Sequence, residues 1–86
     1  MCIVQFKTVQ CKHMEEKIYE ICKSFSSNLK AERLAKHLTQ KQVAEKMGIS
    51  IQSYQAYEKG IALPTTINLL KLSFLFKVSI DDLFER

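Results

Sequence analysis

Two glycines and one proline among 86 residues leave no glycine-rich loop to cradle a phosphate and no low-complexity tract. No apolar run approaches the roughly 18 residues that a membrane-spanning helix needs, so no membrane partner is expected. The opening MCIVQFKTVQ is too short and too polar for the apolar core of a signal peptide. Three cysteines, Cys2, Cys11 and Cys22, are an odd number with no CxxC pair, and free thiols in a reducing cytoplasm are the simplest expectation. With His13 they spell Cys-x8-Cys-x-His-x8-Cys, but structural zinc sites bring two ligands close together, and here only Cys11 and His13 are near. Neither metal nor cofactor is expected, and Cys22 reads more simply as an apolar residue of its helix. Neither histidine has a cysteine or serine partner at a telling spacing, so an enzyme is not expected.

What remains is a short, moderately basic chain. Eighty-six residues make one domain, and with 47% of them hydrophobic a small core can form without disulfides or metal. The net charge of +4 leans towards a polyanionic partner. Nine Lys/Arg against six Asp/Glu lie from Asn28 onward, four against three before it, so the excess sits mainly in the second part.

That part is organised around Gln40 to Gly60, QKQVAEKMGISIQSYQAYEKG, which reads as two short helices joined by a tight turn. Thr39 caps the first helix, and Gln42, three residues on, completes a capping box. Val43, Ala44 and Met47 give that helix a narrow apolar face. Gly48 sits where a helix closes in the left-handed conformation, Ile49 is the apolar turn residue, and Ser50 caps the second helix. Tyr54 and Tyr57 are buried on one face of it, and Gly60 stops it. Ala44 is small where the two helices would cross. This is the sequence logic of a helix-turn-helix.

Ahead of the motif, Met1 to Gln10 alternates loosely, with Ile3, Val4, Phe6 and Val9 apolar. It could be a lone strand, a frayed tail or, if Met14 is the natural start, an upstream extension; residues 1–13 are set apart as an extension without fixed structure. Met14, Ile18, Ile21, Cys22 and Phe25 mark an amphipathic helix over residues 14–27. Ser24, Ser26, Ser27 and Asn28 read as a break or cap before a helix from Leu29 to about His37. Beyond Gly60, Pro64 cannot continue a helix and Thr65 caps the next. In Thr66 to Phe76, Leu69, Leu72, Ser73 and Phe76 form a core face, while Ile67, Leu70 and Phe74 form a second apolar stripe. Ser79 caps a last short helix whose Asp81 and Asp82 suit its N-terminal dipole and whose Ile80, Leu83 and Phe84 close the core.

The segments LKAERLAKHLTQKQVAEKMGIS, YEKG followed by Pro64-Thr65, and VSIDDLF together resemble the Cro/C1-type (XRE) helix-turn-helix family, the group containing phage repressors, over Leu29 to Phe84. The resemblance implies an all-α, five-helix lambda-repressor-like DNA-binding domain over residues 28–86, here with an additional N-terminal amphipathic helix. The third helix of such a domain enters the major groove. The resemblance matches the family's helix-one arginine to Arg33 and its recognition-helix glutamate to Glu58, a structural ion pair in relatives. It places Ser50, Ile51, Gln52, Gln55 and Ala56 outward, with Ser53, Tyr54 and Tyr57 inward or sideways. Gln52 and Gln55 are the best readers, since a glutamine amide can pair bidentately with adenine, and Ile51 can touch a thymine methyl. Gln40, at the start of the motif's first helix, can hold a phosphate, joined by Lys59 and Lys41. Relatives often carry a charged residue at Ile67, a Lys or similar at Phe74, and Gly or Asn at His37 and Lys77. The first two departures make Ile67, Leu70 and Phe74 a candidate dimer or partner surface, unless the N-terminal helix packs on them.

The function so implied is sequence-specific binding of double-stranded DNA by a homodimer, regulating transcription as a repressor on a palindromic operator. Alternatives are the antitoxin of a toxin–antitoxin pair, with a protein partner held by the N-terminal helix, and an interaction module that has lost DNA binding. The expected location is the cytoplasm of a bacterial or phage-type host, nucleoid-associated when bound.

Overall fold

The computed structural model describes residues 2–85, with side chains from residue 13 onward. Five helices follow one another: α1 Cys2–Ala35, α2 Gln40–Met47, α3 Ile51–Lys59, α4 Thr66–Phe76 and α5 Ile80–Glu85. Among the described residues there is no strand, and no helix is long and apolar enough to cross a membrane. The sequence sets residues 1–13 apart as an extension without fixed structure, whereas the backbone from Cys2 onward belongs to α1; the side chains up to residue 12 lie outside those described.

The break expected between Ser24 and Asn28 does not occur, and α1 runs through it without interruption. The polar residues there have partners that leave the helix intact. Ser26 donates its hydroxyl to the Lys23 carbonyl at 3.0 Å, one turn back on its own helix. Asn28 spends its amide on the Leu83 carbonyl of α5 at 2.9 Å, pinning the end of the chain to α1. The expected additional helix and the first helix of the domain are thus one element.

The starts of the other helices follow from side chains three residues ahead of the amides they accept. Thr39 and Gln42 form a complete capping box, while Ser50, Thr65 and Ser79 accept from the backbone N–H of Ser53, Asn68 and Asp82. The ends share one closure. In α1 to α4 the residue after the turn, Leu38, Ile49, Ile61 or Val78, donates its N–H five residues back, and the residue before it has a positive φ. Glycine fills that left-handed position at Gly48 and Gly60, but His37 and Lys77 fill it at φ 58°. These are the two positions where the family resemblance leads one to expect Gly or Asn.

The core is built from Phe25 and Leu29 of α1, Val43, Ala44 and Met47 of α2, Tyr54 and Tyr57 of α3, Leu72 and Phe76 of α4, and Leu83 of α5. Phe84 stacks on Phe25 with ring centroids 4.8 Å apart. Ser73, expected in the core face of α4, lies at its edge and donates to the Val78 carbonyl at 2.6 Å. A β-carbon at Gly60 would come 3.4 Å from Ser26 Oγ, so the end of α3 passes close against α1. Among the described side chains of α1, Phe25 is the first that is fully buried, and Met14, Ile18, Tyr19 and Ile21 before it are exposed.

Candidate functional site

Helix α3 is held by one buried acid. Glu58 sits in its last turn with only 4% of its side chain exposed, opposite Arg33, whose side chain is 11% exposed. Arg33 donates through Nε to Glu58 Oε2 at 2.6 Å and through Nη2 to Oε1 at 3.1 Å, a two-pronged contact that fixes orientation as well as distance. Its remaining Nη1 donates to the Leu38 carbonyl at 3.0 Å, tying the α1–α2 connection into the same unit. The Tyr54 hydroxyl, one turn back on α3, donates to Glu58 Oε2, and Gln40 Nε2 at the start of α2 donates to Oε1 at 3.0 Å. Burial pushes the Glu58 carboxyl up, but the hydrogen bonds from Arg33, Tyr54 and Gln40 outweigh it and leave the pKa below the ordinary glutamate value. The Glu58 hydrogen bond raises the pKa of Arg33, and burial followed by the Glu58 contact raises that of Tyr54. All three hold their ordinary neutral-pH charge states, and none of their buried polar atoms is left without a partner.

Gln40 is also half of a second contact. Its Oε1 accepts from Gln55 Nε2 at 3.1 Å, so a relay runs from Glu58 through Gln40 to Gln55 on the outer side of α3. The Gln40 side chain, read from the sequence as a phosphate ligand, is thus engaged within the protein. What it leaves open is the backbone at the start of α2, where first-turn N–H groups point away from the helix.

The remaining expected positions sort by exposure. Gln52, Ser50, Lys41 and Lys59 are exposed, while Gln55, Ile51 and Ala56 are half-buried. Ile51 leans onto the core. The Ser50 hydroxyl is taken up as the cap of α3 and donates to Ser53 Oγ at 2.9 Å. Tyr54 and Tyr57 are buried, but Ser53, read as facing inward or sideways, is exposed. Within the first turn of α3, Ile51 and Tyr54 face the core while Gln52 and Ser53 face outward. The sequence reading missed Tyr54 as a partner of Glu58, Lys71, whose Nζ donates to the Met47 carbonyl at the end of α2 at 3.0 Å, and Asn68, which donates to the Tyr57 hydroxyl at 3.0 Å. The i to i+4 spacing of Tyr54 and Glu58 was the one available signal.

The second stripe of α4 stands open, with Ile67 67%, Phe74 80% and Leu70 43% exposed. The described part of α1 packs on α3 and α5 and does not cover it, so the added-core reading of the stripe fails. No group of three or more His, Cys, Asp or Glu suited to a metal ion occurs among the described residues; the side chains of Cys2 and Cys11 lie outside them.

Comparison with known proteins places this geometry. A family model described as helix-turn-helix matches residues 29–83. The chain is 46% identical over 55 residues to the cryptic phage CTXphi transcriptional repressor RstR of Vibrio cholerae, covering 64% of this chain and 49% of that protein. It is 43% identical over 61 residues to the uncharacterized HTH-type transcriptional regulator YqaE of Bacillus subtilis, covering 71% of this chain and 53% of that one. The chain therefore spans about half the length of these two relatives. Among solved structures, the restriction-modification controller protein C.AhdI of Aeromonas hydrophila superposes with a TM-score of 0.68 at 27% identity, over 73% of this chain and 96% of that one.

Proposed function

The chain belongs to the helix-turn-helix family of the Cro/C1 type, and from that membership we propose that it binds double-stranded DNA sequence-specifically and regulates transcription, as a repressor that occupies its operator. One observation carries the reading. The start of α2 is locked to the middle and last turn of α3 through Gln40, which joins Gln55 and Glu58, and α3 carries exposed Gln52 beside half-buried Gln55.

In this reading α3 enters the major groove. Gln52 pairs with a base edge, Ile51 offers a methyl contact, and Ser50 and Ala56 line the close approach. The free backbone N–H groups at Gln40 and Lys41 hold a phosphate at the start of α2, with Lys41 and Lys59 adding charge. The site supplies no chemistry and requires no cofactor. It recognises, and by remaining bound excludes polymerase.

The open stripe of α4 supports a homodimer through Ile67, Leu70 and Phe74, which matches a palindromic operator with half-sites about one helical turn apart. The same apolar exposure would suit an interaction module, and salt separates the two. The experiment is selection of duplexes from a random library, then affinity for the winner and for a scramble at several salt concentrations. The regulator gives a palindromic winner, bound far more tightly than the scramble, with affinity falling as salt rises because lysines displace phosphate counterions. Weak binding without preference would leave the interaction module.

A further inference from the structure

The relay from Glu58 to Gln55 also has a direction, because its first member has only acceptors. A carboxylate cannot donate, so the Gln40 atom 3.0 Å from Glu58 Oε1 is its NH2 group. The other end of the same amide is then the oxygen, and the Gln55 atom 3.1 Å from it must also be NH2. A glutamine side chain normally turns over freely and presents donor or acceptor as its partner requires. Here the choice is made before any ligand arrives. Gln55 Oε1 is the end of the amide turned away from this contact, and among the described residues no hydrogen-bond donor engages it.

We infer that Gln55 is a polarised reader: it presents its amide oxygen to the major groove and selects a base that offers a donor there. This rests on the DNA-binding reading above and specifies what the second glutamine of α3 recognises. Two base edges qualify, adenine through N6 and cytosine through N4; guanine and thymine offer acceptors at the equivalent positions and are rejected. Adenine is the better match. Gln55 Nε2 carries two hydrogens, one held by Gln40, and the second can reach adenine N7 while Oε1 accepts from N6. Gln40 is then a positioning residue that touches no base and acts by fixing which end of Gln55 faces outward. Gln52, exposed and outside this relay, keeps the freedom to turn over.

The test starts from the selected operator and the full chain. The operator position whose preference changes in Gln55→Ala is the one that Gln55 reads. At that position, affinities for duplexes carrying each of the four base pairs are compared for the wild type and for Gln40→Met, which keeps the side-chain length but removes the acceptor. The wild type should favour adenine or cytosine on the read strand by roughly tenfold over guanine or thymine. Gln40→Met should flatten that preference to about twofold, as the freed amide turns over, while leaving positions read by Gln52 unchanged. Gln55→Glu, which has acceptors only, should retain the preference for a donor-bearing base even as overall affinity drops. A guanine or thymine preference in the wild type would overturn the inference, as would full discrimination in Gln40→Met, or no operator position responding to Gln55→Ala. All three leave sequence-specific binding in place. Loss of preference at every operator position in the wild type would instead remove the DNA-binding reading, and this inference with it.

Discussion

Glu58→Ala removes the single acceptor on which four hydrogen bonds converge, two from Arg33 and one each from Tyr54 and Gln40. Arg33 is 9% exposed as a residue, so its guanidinium cannot recover its lost partner from bulk water without opening the packing of α1 on α3. Removing one member of a buried pair costs about 3–5 kcal/mol, most of it the penalty of the stranded charge. For a domain of this size 1 kcal/mol moves the melting temperature by about 4–8 °C, so the variant should melt at least about 12 °C lower. Glu58→Gln should fall in between, because an amide keeps the shape but has too few acceptors and no charge. Replacing both partners, as Arg33→Leu with Glu58→Leu, should recover much of the loss because no charge is then stranded. The assay is thermal unfolding by circular dichroism, repeated across pH. Because the folded-state pKa of Glu58 lies below its unfolded value, the carboxylate contributes its full stability above about pH 4.3 and loses it as pH falls through the folded value. The wild type should therefore lose stability on acidification with a slope that Glu58→Ala lacks. A melting temperature within about 4 °C of the wild type, or identical acid slopes, would refute the assignment of Glu58 as the anchor of α3.

Lys77 holds a left-handed conformation at φ 58°, which costs a side-chain-bearing residue about 1–2 kcal/mol and glycine nothing. After the extra unfolded-chain freedom of glycine, about 0.5–1 kcal/mol, Lys77→Gly should still raise the melting temperature by a few degrees, whereas Lys77→Val should lower it. His37→Gly should behave like Lys77→Gly, and a fall in both would contradict the strain argument. Gln52→Ala should relax base preference at one operator position, losing about 1–3 kcal/mol of discrimination there, with binding to a scrambled duplex nearly unchanged. Uniform weakening on all duplexes would take the reader role from Gln52. On the proposed α4 homodimer, the wild type should sediment as a dimer and Phe74→Lys as a folded monomer at the same concentration, and a dimer persisting in Phe74→Lys would move the interface off α4.

Thr39, Ser50, Thr65 and Ser79 were legible as caps because a cap joins a side chain to an amide only three residues ahead, and the sequence carries both ends of that contact. Gly48 and Gly60 were legible for the same local reason. Ser26 and Asn28 were misread because the same local rule treats serine and asparagine as helix enders, and what keeps them inside α1 is partly remote. Asn28 reaches a carbonyl 55 residues away, which no window along the chain can contain. Arg33 and Glu58 were paired through the family pattern and not through spacing. The link between Gln40 and Gln55, 15 residues apart and on different helices, has no signature in the residue types at all. It exists because α2 and α3 pack against each other, with small Ala44 buried at 2% exposure, and this brings the start of α2 to the middle and last turn of α3.

A carboxylate near a surface meant for phosphates should weaken binding, and Glu58 would do so if it stood free. Its charge is instead offset at contact distance by Arg33, and its lone pairs are occupied by donors from three helices, α1, α2 and α3. At the separation of a docked phosphate the pair acts as a short dipole, whose field falls faster with distance than that of a lone charge, and bulk salt screens the remainder. What the acid contributes in exchange is registration. Through Arg33 it holds α3 to α1 and to the Leu38 carbonyl, and through Gln40 it sets α2 against α3. Lysine or glutamine at position 58 would look friendlier to DNA but would leave α2 and α3 free to shift against each other, and a reader displaced by even an ångström loses its hydrogen bonds. The proposed interface therefore depends on a negative charge it never presents, and the sensitivity of base preference to Gln40, a residue that touches no base, is where that dependence can be measured.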